Sequence, residues 1–526
     1  RQRIGCSPQF NIAVDICDRH AGDSTRIAMI YEDEVGQVSE HTFAEFRDRS
    51  NQLAHALRRL GVTRGDRVGI VMSQRPETGV AHLGIYKLGA IAVPLATLFG
   101  PDAVEYRLRS AGVRVVITDA TSLDRLQEVK EKYPGLQHII CADRTDALNV
   151  LDYSTLLACE SDDFEPVATA AEDPALLIFT SGTTGSPKGA LHAHRILLGR
   201  LPSMEFVHQA FPQPSDRFWT PADWAWAGGL LDMLIPSWHY GVTVVAHRSR
   251  KFDAARAFEI MARHKIRNVF LPATVLKMMR LIEDPRKQWD VQLRTIHTGG
   301  ETVGEDLIRW AKDSLGATPH EAFGQTEAVM IIGNCTDFMP IKPGSLGRPI
   351  PGHEIALLNT QGQPVPDGEI GEIALKRPVP AMFLRYWNDE AATLEKFSGD
   401  WLLTGDLATK DSDGYIWYVG RKDDVISSGA YRIGPGEIEN CLTGHPAVAM
   451  AAAVGTPDPI RGEVVKAFVQ LNEGFAPTPE LAHELQMHVR TRLSAHEYPR
   501  EIEFYDCIPT TTTGKVIRKG LRELEH

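Results

Sequence analysis

The sequence predicts an α/β protein with a large N-terminal domain of parallel sheets covered by helices, a β-rich subdomain and a small C-terminal α+β domain. Three observations carry this reading. Short apolar runs alternate with helical periodicity through the first half, glycine or proline punctuates a β-rich stretch from Gly344 to Arg377, and the charged run Gly420-Arg421-Lys422-Asp423-Asp424 sets off the C-terminal part of the chain. A strand buried on both faces reads as a continuous apolar run, and intervening helices supply the crossovers that parallel pairing needs. At 526 residues the chain is long enough for two or more ordinary domains, each with its own core.

The elements run in order along the chain. Phe43, Phe46, Leu53, Ala56 and Leu57 share one face of a helix over 42–60, which Gly61 closes as a C-cap. Arg67 to Val71 then reads as a buried strand, with a helix near Glu77 to Leu88 after it and further strands at Ala90 to Pro94 and Val113 to Thr118. Leu176 to Phe179 is a fourth apolar strand. Beyond the charged run, a helix is expected at Glu437 to Leu442, strands at Met450 to Gly455 and Val464 to Leu471, and a helix at Pro479 to Leu493. A boundary is placed at 421/422, with a hinge at Asp423. No repeat, heptad array or low-complexity tract is present.

Composition excludes several classes. Lys+Arg number 56 against 68 Asp+Glu, and the net charge of −12 opposes adhesion to nucleic acid or anionic lipid. The longest clean apolar run, Ala447 to Gly455, falls short of the ~18 residues that read as a membrane span. Cys6, Cys17, Cys141, Cys159, Cys335, Cys441 and Cys507 are scattered without zinc spacing, as in a reducing compartment. Cytosol is the expected location; the chain starts at Arg1 rather than Met, so an organelle matrix stays open.

The first chemical signal is the loop Thr180-Ser181-Gly182-Thr183-Thr184-Gly185-Ser186-Pro187-Lys188-Gly189, which the fourth strand enters directly. Glycines let backbone N–H groups face phosphate oxygens, hydroxyls add donors, and the lysine adds a point charge. Lys188 lies between a proline and a glycine, so this is not the spacing of a P-loop NTPase. On composition alone, a flexible polar surface loop is the competing reading.

With this loop the sequence resembles the adenylate-forming superfamily of acyl-CoA synthetases, peptide-synthetase adenylation domains and luciferases, whose signature is (S/T)SG(S/T)TGxPKG. Further motifs come in the family's order: Phe323-Gly324-Gln325-Thr326-Glu327, Thr404-Gly405-Asp406, Asp413-Gly414-Tyr415 through Gly420-Arg421, and Pro509 through Thr513-Gly514-Lys515. The resemblance spans essentially the whole chain. It implies ATP, Mg²⁺ and coenzyme A as cofactors, an AMP-binding domain over 1–421 and a mobile C-terminal domain over 422–526.

The resemblance also implies roles. Glu327 with Thr184 is expected at the metal, and Thr180, Ser181, Gly182, Thr183, Gly185, Lys188, Gly300, Glu301, Gln325 and Thr326 around ATP. Asp406 is expected to accept the ribose hydroxyls, with Arg421 beside phosphate or ribose, and Lys515 to reach the α-phosphate and carboxylate as charge develops. Taken singly, each has an ordinary reading: Glu327 as a solvated acid, Asp406 as a turn residue, Arg421 as a surface ion pair, Lys515 as a solvent-facing lysine. Arg432 is expected as a catalytic arginine after the hinge, with Gly429, Ala430 and Arg490 near coenzyme A. Many synthetases have glycine where Ala430 stands, which bears on the thiol channel.

The segment Thr220 to Trp226 and the opening Phe10 to Asp15 most resemble medium-chain acyl-CoA synthetases. Trp226, Ala227, Gly228, Gly299 and Gly324 resemble the acyl pocket, and acetate enzymes carry tryptophan at the place of Gly324. The resemblance thus implies an open cavity for a short- to medium-chain, branched or aromatic acid. Two other functions compete: a ligase loading a carrier protein, and a non-catalytic nucleotide-binding regulator.

Overall fold

The structure is a computed structural model that describes residues 9–180, 187–247, 251–300, 303–422, 424–428, 431–458, 462–492, 498–511 and 515–523. The chain forms two compact units. The first comprises Arg1–Thr180, Pro187–His353 and Arg377–Glu395; the second comprises Ser181–Ser186, Glu354–Lys376 and Lys396–His526.

In the first unit the described residues form two large sheets. An eight-stranded sheet runs in the order Arg385–Tyr386, Gly189–Ala193, Pro174–Phe179, Ile91–Pro94, Arg67–Val71, Val115–Thr118, His138–Cys141 and Leu151–Asp152. Its middle is parallel, as the apolar runs require. Its edge is antiparallel, because the loop 180–188 returns the chain immediately as a hairpin rather than through a helix. The helix Phe43–Arg59 covers this unit's core with Phe43, Phe46, Leu53 and Leu57 fully buried; each such side chain contributes about 1.5–3 kcal/mol. Thr42 and Glu45 close its start as a reciprocal capping box, and Gly61 at φ +83 ends it.

The second large sheet is nine-stranded and holds Arg217–Trp219, Asn268–Phe270, Thr295–Gly299 and Pro319–Gln325 as adjacent parallel strands. Ligands in open α/β sheets sit outside the carboxyl ends of such strands, so the loops leaving these four ends are where a site belongs.

The second unit is built mainly on antiparallel pairing, with Glu501–Phe504 joining Gly462–Leu471 in parallel. Ile355–Leu358, Gly371–Lys376, Trp401–Lys410, Phe397–Ser398 and Ile416–Arg421 form one sheet. A second sheet joins Val448–Asp458, Gly462–Leu471, Ile426–Ser428, Tyr431–Ile433 and Glu501–Phe504 under the helices Pro435–Thr443 and Pro479–Arg492. Gly420 and Arg421 end the strand Ile416–Arg421 in this unit, immediately before the boundary expected at 421/422. Among the described residues six cysteines are free, and no helix is long and apolar enough to cross a membrane.

Candidate functional site

In the first unit, strand pairing fixes the ends of the glycine-rich loop. Phe179 lies opposite Gly189, and the Thr180 N–H donates to the Lys188 carbonyl at 2.8 Å. Ser181, Gly182, Thr183, Thr184 and Gly185 lie outside the described residues. Lys188 is exposed, with its ammonium 5.4 Å from the centre of the Tyr386 ring.

Glu327 is buried just beyond the strand Pro319–Gln325, and the Tyr386 hydroxyl donates to its Oε1 in a short hydrogen bond. Gln325 and Thr326 are half-buried beside it. Gly300 comes directly after the neighbouring strand at φ +91, a conformation that favours glycine; Glu301 lies outside the described residues. Sequence reasoning missed Glu321. Its carboxyl is buried, accepts from the Val303 N–H at 3.2 Å across that same loop, and is pushed up to about 8 by burial. Its strand is buried at four successive positions, Pro319 to Ala322, so no alternation in the sequence marks the carboxyl as facing inward.

Of the five residues assigned to the acyl pocket, two lie at the ends of adjacent parallel strands and three follow the loop that leaves a third strand. Ala227 and Gly228 begin a short helix that Trp226 precedes, Gly299 ends Thr295–Gly299, and Gly324 lies near the end of Pro319–Gln325. Trp226 meets Phe99 edge-on at 5.6 Å, and Phe270 stacks on His297 at 5.0 Å. A Cβ at Gly228 would meet the Phe270 ring at 2.6 Å. Phe270 thus packs against Gly228, a contact the sequence did not single out. The preceding loop is held by the Gln74 amide, which donates to the Thr220 and Ala222 carbonyls at 3.0 and 2.6 Å. Asp223 in that loop is pushed up to about 6 by burial.

Gly299 and Gly324 have a second reason to be glycine. A Cβ at 299 would stand 2.6 Å from the Ala322 carbonyl oxygen, and one at 324 would overlap the Val329 carbonyl. Both positions are close backbone approaches as well as small residues.

In the second unit, antiparallel register puts Asp406 opposite Arg421, with Nη1 3.3 Å from Oδ2. The Tyr418 hydroxyl donates to Oδ1 at 3.3 Å. Asp406 is 4% exposed, and burial raises its pKa while Arg421, Lys515, the Tyr418 hydroxyl and Lys396 oppose the rise. Lys515 is exposed; its N–H bonds the Thr511 hydroxyl and its carbonyl accepts from the Thr511 N–H, closing the expected turn. Arg490 is exposed in the last turn of Pro479–Arg492, 5.4 Å from the centre of the Tyr498 ring. Asp423, Gly429 and Ala430 lie outside the described residues, as does the side chain of Arg432.

Magnesium, which the resemblance implies, keeps few protein ligands and takes the rest from phosphate and water. Among the described residues no group of three or more His, Cys, Asp or Glu converges as a cage. A lone oriented carboxylate, Glu327, fits that ion.

The strand-paired ends of the glycine-rich loop in the first unit, and the buried carboxylate beside arginine in the second, are features that the resemblance associates with nucleotide-dependent adenylation. The chain matches the AMP-binding enzyme family over residues 18–387 and the AMP-binding enzyme C-terminal domain over 437–515. It therefore belongs to the AMP-binding enzyme family, as an AMP-forming acid–coenzyme A ligase. It is 34% identical to the acetyl-coenzyme A synthetase of Bacillus subtilis (strain 168), over 98% of this chain and 91% of that protein. Its identity to the mitochondrial acyl-coenzyme A synthetase ACSM3 of Mus musculus is 32%, over 99% and 92%. Among solved structures it is similar to the anthranilate CoA ligase AuaEII in complex with anthranoyl-AMP, at 30% identity, TM-score 0.88 and 99% and 98% coverage. A benzoate CoA ligase from Burkholderia xenovorans LB400 gives 29% identity, TM-score 0.85 and 98% and 100% coverage.

Proposed function

We propose that this ligase activates a short- to medium-chain, branched or aromatic carboxylic acid rather than acetate. The observation that carries the reading is a set of small residues, Gly299 and Gly324 at the carboxyl ends of adjacent strands and Ala227 and Gly228 in a short helix, with Gly228 against the Phe270 ring and Trp226 just before that helix. Such a site offers apolar walls for a larger acid, and each buried methylene is worth about 0.8 kcal/mol, roughly fourfold in affinity. The names of the relatives span acetate to aromatic acids, so they leave the choice to the pocket.

In the first half-reaction the acid's carboxylate oxygen bonds to the α-phosphorus of ATP, and the bond to pyrophosphate breaks. Glu327 would hold magnesium, which neutralises phosphate charge when bound, while Lys188 contacts phosphate and Asp406 accepts the ribose hydroxyls. Lys515 is assigned to the charge that develops at phosphorus. Its influence on Asp406 supports this, since the ammonium acts on the carboxylate assigned to the ribose. In the second half-reaction the coenzyme A thiol displaces AMP, with Arg432, Gly429, Ala430 and Arg490 assigned to that state and Asp423 to the hinge between states. The cytosol is the proposed location.

The test is pyrophosphate release with ATP and Mg²⁺ across acetate, butyrate, hexanoate, octanoate, a branched acid and benzoate, with and without coenzyme A. Acyl-CoA formation favouring an acid larger than acetate is expected; acetate as the best substrate overturns the pocket assignment. Release without acyl-CoA points to a carrier protein as acceptor. Lys515→Ala is expected to abolish adenylation while sparing thioester formation from supplied acyl-adenylate.

A further inference from the structure

We propose that Tyr386 is the positioning residue for both charges of the ATP site in the first unit, fixing the Glu327 carboxylate through its hydroxyl and Lys188 through its ring. The proposal rests on the reading of Glu327 as the magnesium carboxylate and of Lys188 as a phosphate contact. Tyr386 lies 59 residues from Glu327 in sequence and is 4% exposed. The hydroxyl engages Oε1, so Oε2 is the oxygen left to meet a cation. The ring separately carries the Lys188 ammonium at 5.4 Å, within the range of a cation–π contact.

The segment bearing Tyr386 is built to hold it there. Tyr386 pairs with Ala190 on the strand that begins immediately after Lys188. On either side, the Leu384 N–H donates to the Leu191 carbonyl and the Trp387 N–H to the Gly189 carbonyl, both at 2.7 Å. The Phe383 N–H donates to the Glu327 carbonyl at 2.8 Å, so backbone and side chain tie the same two stretches. Arg195 Nη1 donates to the carbonyls of Pro380, Met382 and Val379 at 2.6, 2.8 and 3.4 Å. Gly199 lets the helix Ile196–Val207 come against the Pro380–Ala381 backbone, where a Cβ would overlap it. A carboxylate that must present one oxygen to a metal gains orientation from a donor on the other, and loss of such outer partners weakens metal binding about 10- to 100-fold.

The experiment measures Mn²⁺ binding by electron paramagnetic resonance to the full-length enzyme with a non-cleavable ATP analogue, beside binding of the analogue without metal. Tyr386→Phe keeps the ring and removes the hydroxyl; it is expected to weaken Mn²⁺ about tenfold or more and to leave metal-free analogue binding unchanged. Tyr386→Leu is expected to weaken both. Arg195→Lys, which loosens the segment without touching the site, is expected to weaken Mn²⁺ in the same direction as Tyr386→Phe. Unchanged Mn²⁺ affinity in Tyr386→Phe overturns the proposal, and so does unchanged affinity in Arg195→Lys should the tyrosine variants fail to fold. Glu327→Gln separates the underlying reading: if it binds Mn²⁺ normally, the assignment of Glu327 falls; if it loses Mn²⁺ while Tyr386→Phe does not, only the role of Tyr386 falls.

Discussion

A side chain at position 324 would overlap the Val329 carbonyl, and Val329 itself stands at φ +55, a strained conformation for a β-branched residue. The ladder shifts register between Phe323 and Gly324, so the hairpin closes on Gly324 backbone to backbone. Gly324→Ala is therefore expected to lower stability by about 1–3 kcal/mol, as overpacking does, and Gly324→Trp to yield little folded enzyme rather than a clean shift towards acetate. Thermal unfolding beside the acid profile checks this; a stable Gly324→Trp enzyme preferring acetate would leave only the pocket role. Gly228→Ala is the better probe of the pocket, since its Cβ meets the Phe270 side chain, which can turn, at 2.6 Å. It is expected to raise KM for benzoate over butyrate about tenfold or more at nearly unchanged stability. The glycines and Glu327 could be singled out from the sequence because short motifs hold them together. Tyr386 and Phe270 could not be, because the residues they meet, Glu327 and Gly228, lie 59 and 42 positions away in sequence.

The short helix Arg518–Glu523 begins three residues after Lys515, and its arginines hold it against the rest of the second unit. Arg518 donates to Glu439 from Nε at 3.1 Å and from Nη2 at 2.7 and 2.6 Å, and meets Asp424 at 3.3 Å; Arg522 also pairs with Asp424. Glu439 and Asp424 are largely buried, with side chains 14% and 11% exposed, so removing Arg518 takes the cation from Glu439 and leaves Asp424 with Arg522. Arg518→Met is expected to destabilise by about 3–5 kcal/mol in urea unfolding, and Arg518→Met combined with Glu439→Gln to recover part of that loss. Strict additivity would show that the pair is not coupled. The same variant is expected to slow adenylation more than thioester formation, because it releases the support of the Lys515 turn. Buried strands such as Arg67–Val71 and the helix Phe43–Arg59 were legible because apolar runs and helical periodicity are local. The pairing of Gly371–Lys376 with Trp401–Lys410 was not, since register between distant strands depends on partners that local periodicity does not name.

Across the whole first unit, histidines are buried in numbers that tie its stability to pH. Burial pushes His82, His192 and His297 down to about 3 and His194 and His353 down to about 4, and lowers His208 and His320 as well. The hydrogen bonds require neutral rings. His320 donates to the Val207 carbonyl and accepts from the Thr336 N–H, while His194 accepts from the Ile12 N–H, so a further proton would set donor against donor. Below an unfolded pKa of about 6.5 the unfolded chain binds protons that the folded chain refuses, so stability is present above that value and falls as pH falls towards 4. Glu321 works in the opposite sense: held up to about 8, it stays protonated when the unfolded carboxyl has ionised, so its contribution falls as pH rises to 8. Each proton is worth about 1.4 kcal/mol per pH unit. The histidines outnumber the carboxyl below pH 6.5, and Glu321 acts alone among these groups above it. Calorimetry of the full chain from pH 5 to 8 is therefore expected to show a maximum near neutrality, a steep acid limb with uptake of several protons on unfolding, and a shallow alkaline limb. Glu321→Gln should flatten the alkaline limb and steepen the acid limb by about one proton, since the carboxyl opposes the histidines there; a flat profile between pH 7 and 5.5 would mean that the buried rings do not govern the unit's stability.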